Sequence, residues 1–385
     1  MNFDELIERR NTHSMKWDMM STLYGVDPRN GLPMWVADMD FRPPESVTQA
    51  LQTQVTHGVH GYFGDETEHR QAIVDWMSTR HRWTPDPSSI FTVHGLVAGT
   101  ALAVQAFTQP GDAVILFTPV YHAFARVIKA NGREVLEAPL MNEAGRYYFD
   151  LEALAAQLTG RESMLIFCSP HNPGGRVWSA EEQRAVAEFC NAHGLVLVCD
   201  EIHHDLIYAP ARHIPMPLLA PPETRLVMLT AGTKTFNIAG GLTGNVIIAD
   251  EAMRQTFART HMASGTSPNL FGTLMATAAY QHGAAWLDAL LPYLDDNRRL
   301  LDEVVNALPG WASMPMESTY LAWVDFSGTG LSAEQVQHKV QQEAGIAASH
   351  GAAFGQGGES CLRFNFATPR SRVEEAMQRL MACFG

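Results

Sequence analysis

The side chain best suited to covalent chemistry in this sequence is a lysine. Lys234 lies within residues 230–237, where it follows an apolar run and has mostly small or apolar neighbours. Burial disfavours the charged ammonium form and lowers the pKa of a lysine, so a buried Lys234 could act as a nucleophile, a base or a Schiff-base former. A lysine in an exposed loop would fit the same segment, so the segment alone leaves both interpretations open.

A carboxylate and two histidines follow another apolar run. Asp200 comes directly after residues 195–199, and His203 and His204 follow shortly. A carboxylate at the end of a strand often caps the next helix, which is the simpler interpretation of Asp200 alone. Adjacent histidines do not share one face of a helix, and no HExxH pattern accompanies them. We therefore predict no metal site.

Three other positions could bind polar or anionic groups. Asn172 lies in segment 171–175, which follows an apolar run and would also fit a plain turn. The glycine-containing segment 93–100 could bind a phosphate through free backbone N–H groups at a helix start, although many strand-to-helix junctions look alike. Arg363 is a single arginine in an apolar run, and a buried arginine needs an anionic partner from the protein or from a ligand.

These side chains are attached to a regular alternation of apolar runs and helical stretches. The runs lack polar alternation, as expected of parallel strands that helices cover on both faces. An open α/β sheet of this kind binds ligands beyond the carboxyl ends of its strands, where Asn172, Asp200 and Lys234 lie. The predicted strands are residues 113–117, 164–168, 195–199, 226–229 and 246–248.

The helical stretches complete the predicted architecture. Helices are expected at 98–107, 121–130 and 179–193, and the last begins with a capping-box pattern of Ser179 and Glu182. The later elements are a long helix at 284–308, a strand in 319–324, a helix near 332–343, a strand near 361–366 and a final helix from about residue 370.

The predicted fold class is α/β, with two units of unequal size. Residues 46–285 are expected to form a large domain with a mostly parallel sheet between helices, and residues 286–385 a small α+β domain. Residues 1–45 contain several prolines and are predicted to be an irregular arm that belongs in part to the small domain. Both chain ends would therefore contribute to the small domain.

Composition narrows the class of protein. The 385 residues include 27 Lys and Arg against 41 Asp and Glu, a net charge of −14, and 46% are hydrophobic. This balance is typical of a globular protein and disfavours a nucleic-acid partner. No apolar run approaches the roughly 18 residues of a membrane span, so no membrane partner is expected. Five cysteines without a CxxC pair suit a reducing compartment, which predicts a cytoplasmic protein.

The order and spacing of the polar residues carry more information than any one of them. Asn172, Asp200, Lys234 and Arg363 in this order resemble the fold-type I pyridoxal-phosphate enzymes, the aspartate aminotransferase superfamily. Further segments look like its MalY/PatB branch of cystathionine β-lyases, and the resemblance runs from about residue 13 to 370. The segments that carry it are residues 16–18, 33–41, 119–121, 170–178, 200–203, 234–240, 319–323 and 363–365.

The resemblance implies a pyridoxal 5'-phosphate cofactor and a role for each residue around its ring. Lys234 would bind the cofactor as a Schiff base and later move the Cα proton of the substrate. Asp200 would keep the pyridine nitrogen protonated, so that the ring accepts electrons. Asn172 would donate a hydrogen bond to the phenolic oxygen of the ring, Tyr121 would stack on its face, and His203 would lie nearby.

The resemblance also implies which residues bind the cofactor's phosphate. Gly95 and Leu96 would bind it through backbone N–H groups at a helix start, and Thr233 through its hydroxyl. Tyr62 resembles a tyrosine that reaches the phosphate from the neighbouring subunit. This role would require a homodimer with active sites at the interface.

The substrate implied by the resemblance is a small amino acid, L-cystathionine or another cysteine S-conjugate. Arg363 would bind the substrate carboxylate as a bidentate fork, and Trp35 and Asp38 are also expected to contact the substrate. An α,β-elimination would then release a thiol, pyruvate and ammonia.

Two rival functions are consistent with the same fold. An aminotransferase would use the same lysine, but many aminotransferases carry an arginine at the position of Leu242, so this leucine favours the lyase. A non-catalytic regulatory protein of this fold would be expected to lose the lysine or the aspartate, and Lys234 and Asp200 are both present.

Overall fold

The computed structural model describes residues 1–143 and 145–385 of the chain. The strands are β1 (Leu32–Met34), β2 (Ile90–Val93), β3 (Ala113–Thr118), β4 (Glu134–Pro139), β5 (Met141–Glu143), β6 (Arg146–Tyr148), β7 (Glu162–Cys168), β8 (Val196–Asp200), β9 (Leu226–Thr230), β10 (Gly244–Ile247), β11 (Ala312–Ser313), β12 (Leu321–Asp325), β13 (Ile346–His350) and β14 (Cys361–Asn365).

The helices surround these strands, and within the described ranges none is long and apolar enough to cross a membrane. They are α1 (Met15–Asp18), α2 (Met20–Tyr24), α3 (Glu45–His57), α4 (Thr67–His81), α5 (Leu96–Phe107), α6 (Ala123–Ala130), α7 (Leu151–Ala155), α8 (Ala180–Ala192), α9 (Gly232–Thr235), α10 (Glu251–Ala263), α11 (Leu270–His282), α12 (Ala284–Ala307), α13 (Ala333–His338) and α14 (Arg370–Phe384).

The larger sheet has the strand order β2-β10-β9-β8-β7-β3-β4. Neighbouring strands are parallel from β9 to β4, whereas β10 is antiparallel to both β2 and β9. The prediction of a large, mostly parallel sheet is confirmed. The apolar run at 246–248 does enter a strand, but an antiparallel one. Burial on both faces gives the same apolar pattern in either direction, so the run could not indicate the direction.

Alternate residues of the central strands pack on opposite faces of this sheet. In β3, Val114 and Leu116 belong to one hydrophobic core, and Ile115 and Phe117 belong to the other. All six residues of β3 are buried because helices cover both faces. The helix predicted at 179–193 is α8, and its Ser179 and Glu182 form the expected capping box.

A second sheet combines both ends of the chain. Its order is β1-β13-β14-β12-β11, with β1 parallel to β13 and the other pairs antiparallel. The arm of residues 1–45 is less irregular than expected, because it forms α1, α2 and β1 before α3 begins. The helix predicted near 332–343 is α13 followed by a π-helical turn at Lys339–Glu343. The proposed domain boundaries after residues 45 and 285 stay a prediction.

Candidate active site

Three of the predicted residues meet because β7, β8 and β9 are adjacent parallel strands. Asp200 ends β8, Asn172 follows β7, and Lys234 lies in α9 just after β9. Together with Arg363 from β14, they line one cavity of about 720 Å³. The other predicted residues on its wall are Trp35, Gly95, Leu96, Tyr121, His203 and Thr233.

Lys234 is partly buried at the floor of this cavity. Burial lowers the pKa of Lys234 to about 8, with Arg363 acting in the same direction and Asp38 and Asp200 opposing it. Its Nζ atom donates a hydrogen bond to the backbone oxygen of Ala37, at 2.6 Å. An amine with this pKa is neutral in about a tenth of molecules at pH 7, against less than about a thousandth for an ordinary lysine, so it is a far better nucleophile and base than an exposed lysine.

Asp200 and His203 are both buried beside the lysine. Burial raises the pKa of Asp200 to about 7, although the N–H of Ile202 donates to its Oδ1 atom at 3.0 Å. Burial, together with the positive charges of Lys234 and Arg363, lowers the pKa of His203 to about 3. His203 is therefore neutral, and its Nδ1 atom has no hydrogen-bond partner among the residues that the structure describes.

Arg363 is buried but forms no ion pair with a carboxylate in the described part of the chain. Its Nη1 atom donates to Asn172 Oδ1 at 2.9 Å, and its Nη2 atom donates to the backbone oxygen of Trp35 at 3.0 Å and to Ser349 Oγ at 3.3 Å. Its Nε atom has no hydrogen-bond partner within residues 1–143 and 145–385. Burial lowers the pKa of Arg363 to about 10, because the charge is not neutralised. This arrangement calls for an anionic ligand.

A helix start faces the same cavity. Gly95 precedes α5 with φ 81°, a left-handed backbone conformation that glycine adopts without strain. The N–H groups of the first helical turn have no partner within the helix, so the N-terminus of α5 can bind an anion. Leu96 begins this helix, and Thr233 lies on the same cavity wall. Three of the residues predicted to bind the phosphate, Gly95, Leu96 and Thr233, are thus brought together.

Two predicted site residues do not line the cavity. Tyr62 lies between α3 and α4, and its side chain is fully exposed. Asp38 pairs its carboxylate with Arg9, at 3.0 Å, instead of facing the cavity. The expectation that Asp38 contacts the substrate stays a prediction.

Sequence reasoning missed two groups that position the predicted residues. Ser349 in β13 donates its hydroxyl to the backbone oxygen of Trp35 and accepts from Arg363. A polar residue in the apolar run 346–349 was a signal that could have indicated it. The Ala37 carbonyl, which binds Lys234, carries no such signal, because every residue has a backbone carbonyl.

A group of possible metal ligands lies behind the cavity. The ligand atoms of His81, His204 and Asp205 lie within 4.8 Å of one another. Asp205 already accepts hydrogen bonds from His81 at 2.7 Å, from Thr235 at 2.7 Å and from Trp76 at 3.1 Å. These donors satisfy the carboxylate without an ion. The absence of a metal stays a prediction.

The fold and the cavity define the family of this chain. The family model for class I and II aminotransferases matches residues 31–380, so the chain belongs to that family. It is 38% identical to cystathionine beta-lyase PatB of Bacillus subtilis, over 99% of both chains. Cystalysin from Treponema denticola, whose structure contains pyridoxal 5'-phosphate, superposes with a TM-score of 0.93 at 32% identity and covers 99% of this chain and 98% of its own. The pyridoxal-phosphate-bound C–S lyase from Staphylococcus hominis gives a TM-score of 0.91 at 30% identity, over 100% and 98%.

Proposed function

We propose that this protein is a pyridoxal-phosphate-dependent C–S lyase that cleaves cysteine S-conjugates, L-cystathionine among them. One observation carries the proposal. A lysine with a lowered pKa, an aspartate with a raised pKa and an arginine that pairs with no carboxylate of the described chain line one cavity. The similarity to named lyases extends over nearly the whole chain, which supports the same assignment.

The residues around the cavity fit pyridoxal phosphate. Two buried polar atoms, His203 Nδ1 and Arg363 Nε, have no partner in the described part of the chain and are available to a ligand. The N-terminus of α5 would bind the phosphate, Asp200 would pair with the ring nitrogen, and Lys234 would bond to the aldehyde carbon. When bound, the cofactor supplies a ring that withdraws electrons from the substrate Cα atom.

The chain's own groups bind the substrate and move its proton. Arg363 binds the α-carboxylate, with Nε free for it and Asn172 alongside. The neutral amine of Lys234 then takes the proton from Cα. The Cβ–S bond breaks, the electron pair of the Cα–H bond forms the Cα–Cβ double bond, and the sulfur leaves as a thiolate. Water converts the remaining unsaturated amino acid to pyruvate and ammonia.

The decisive experiment supplies L-cystathionine without any keto acid. We expect free thiol and pyruvate in equal amounts from the wild-type protein and none from Lys234→Ala. Lys129→Ala serves as the matched control, because Lys129 is exposed on α6, and it should keep wild-type activity. Activity that appears only after a keto acid is added would instead identify an aminotransferase.

The position of Leu242 disfavours the aminotransferase alternative. This residue lines the cavity and exposes more than half of its side chain. An aminotransferase arginine at this position would place a positive charge near the phosphate, and leucine offers none. The cavity obtains its anion-binding capacity from the helix start instead.

We also propose a homodimer in which Tyr62 reaches the neighbouring active site. Tyr62, Val59 and Val55 expose their side chains in one short segment, as an interface would require. Mixing Lys234→Ala and Tyr62→Ala chains tests this arrangement, because a hybrid dimer would regain one intact site. No recovery of activity on mixing would contradict it. The free cysteines are consistent with a cytoplasmic location, which we propose as well.

A further inference from the structure

Residues 35–39 are a part of the arm that reaches the cavity, and their backbone carbonyls accept hydrogen bonds from residues at both ends of the proposed substrate site. The Trp35 oxygen accepts from Arg363 Nη2 and from Ser349 Oγ, both at 3.0 Å. The Ala37 oxygen accepts from Lys234 Nζ at 2.6 Å and from the hydroxyl of Tyr320 at 3.0 Å. One short stretch of backbone thus contacts the arginine and the lysine at once.

The other carbonyls of the 35–39 segment are also held by side chains. Asn365 Nδ2 donates to the oxygens of Val36 and Asp38, each at 2.6 Å. The Met39 oxygen accepts from Asn237 Nδ2 and from Arg9 Nη1, both at 3.0 Å. Every carbonyl of the segment therefore has a side-chain donor, and its position depends on these donors.

A buried ion pair fixes the far side of this segment. Lys16 Nζ lies 2.9 Å from Asp40 Oδ2, and both side chains are almost completely buried. Lys16 also donates to the Asp38 oxygen at 3.2 Å, and Trp17 Nε1 donates to Asp40 at 2.9 Å. Breaking a buried pair leaves an uncompensated charge, so the pair resists movement of the segment.

We infer that the 35–39 segment is a positioning element that sets the spacing between Lys234 and Arg363, and that the buried Lys16–Asp40 pair holds it in place. The inference rests on the proposed function. Arg363 binds the carboxylate of the substrate and Lys234 takes the proton from the adjacent carbon, so the distance between these two groups must match one amino acid. Small errors in such spacing cost much of the rate.

Tyr320→Phe tests the inference with the smallest change. It removes the hydroxyl that holds the Ala37 carbonyl, and we expect kcat to fall about tenfold while KM changes by less than about twofold. The amides of residues 35–39 should also exchange with deuterium faster. Tyr208→Phe is the matched control, because this buried tyrosine donates to another backbone carbonyl, that of Thr319, and does not contact the segment. Equal kinetics and exchange in the two variants would overturn the inference.

Lys16→Met tests the role of the buried Lys16–Asp40 pair. We expect a lower kcat, a higher KM and faster exchange in the 35–39 segment, and Lys16→Arg should restore part of each. Arg29→Met, which breaks an exposed pair with Asp27 in the same arm, should change none of them. A lower melting temperature with unchanged kcat, KM and exchange would show that Lys16 supplies stability alone. If Lys16→Met does not fold, Tyr320→Phe decides.

The two proposals fail in different ways. A wild-type protein that releases no thiol and no pyruvate contradicts the proposed function. An active wild-type protein whose Tyr320→Phe variant matches Tyr208→Phe contradicts the positioning role alone. The exchange measurement needs no substrate, so it tests the attachment of the segment in either case.

Discussion

Two buried clusters in this protein use the same kinds of charged side chain and arrange them in opposite ways. In the arm, Lys16 and Arg9 contact Asp40 directly, at 2.9 and 2.7 Å. In the cavity, neither Lys234 nor Arg363 forms an ion pair with a described carboxylate, and each instead donates to uncharged oxygens. The first cluster is neutralised internally, and the second leaves its charges for a ligand.

The two aspartates show the result of this difference. Burial alone would raise the pKa of Asp40, but Lys16, Trp17 and Arg9 outweigh burial and hold it at about 2. Burial raises the pKa of Asp200 to about 7, because Lys234 compensates only in part. A buried carboxylate in direct contact with cations stays ionised and serves the fold. A buried carboxylate at a distance from cations can gain or lose a proton near neutral pH.

Removing the cavity lysine should have the largest effect. Lys234→Ala should lower thiol release by about 10⁴-fold or more, because the group that binds the cofactor also moves the proton. The absorbance at about 420 nm of the protein with bound cofactor should disappear as well. A thiol assay at fixed time points measures the first effect, and an absorbance spectrum measures the second. A variant that retains either property would contradict the assignment of Lys234.

Removing the charge of Asp40, the partner of Lys16, should lower the stability of the fold. Asp40→Asn should lower the free energy of unfolding by about 3–5 kcal/mol, since it leaves Lys16 buried beside a neutral amide. Urea unfolding at neutral pH measures the loss. Asp200→Asn is the matched comparison and should cost less, because Asp200 is already partly protonated near pH 7. Equal losses would remove the distinction between the clusters.

Changing the cavity arginine should weaken substrate binding and leave the stability of the fold nearly unchanged. Arg363→Lys should lower kcat/KM by about 10²-fold, mainly through KM, because a lysine cannot form the bidentate contact. The free energy of unfolding should be unchanged or slightly higher, since no described carboxylate neutralises the arginine when substrate is absent. Steady-state kinetics and urea unfolding of the same preparation check both parts. A large loss of stability with unchanged KM would assign Arg363 to the fold instead.

The smallest effect concerns the pH dependence of stability without cofactor. The pKa of Lys234 is about 8 in the folded protein and its ordinary value is 10.5, so the unfolded chain binds more protons between these values. The folded state therefore gains stability as the pH rises from 8 to 10.5, on the order of 2 kcal/mol after allowing for partial exposure. Lys234→Met should lack this gain. Parallel pH dependences of the two proteins in urea would contradict the burial of the lysine charge.

Much of the site could be predicted because it depends on strand ends. Asn172, Asp200 and Lys234 follow three apolar runs, and adjacent parallel strands bring such ends together. Arg363 could be singled out as an arginine in an apolar run, but only the resemblance to a known family predicted it at the same site, since β14 belongs to the other sheet. Spacing alone would not have placed it in the cavity.

The remaining features depend on contacts that leave little trace in the sequence. The antiparallel direction of β10 is set by its neighbours, because its apolar residues would suit either direction. The Ala37 carbonyl is a backbone group, and His81 meets Asp205 from a helix 124 positions away. Such pairs form through packing between distant elements, and residue types at short spacing do not encode them.

The contact between Arg363 and the Trp35 carbonyl joins residues 328 positions apart. During translation, Trp35 leaves the ribosome early. The larger sheet, whose strand β9 precedes Lys234, can be complete before β14 has been made. A nascent chain halted ahead of β14 would hold its lysine and aspartate but would have no arginine with which to bind a carboxylate. On the proposed function, the ability to bind the substrate carboxylate arises only after β14 has been made and Arg363 can meet Trp35.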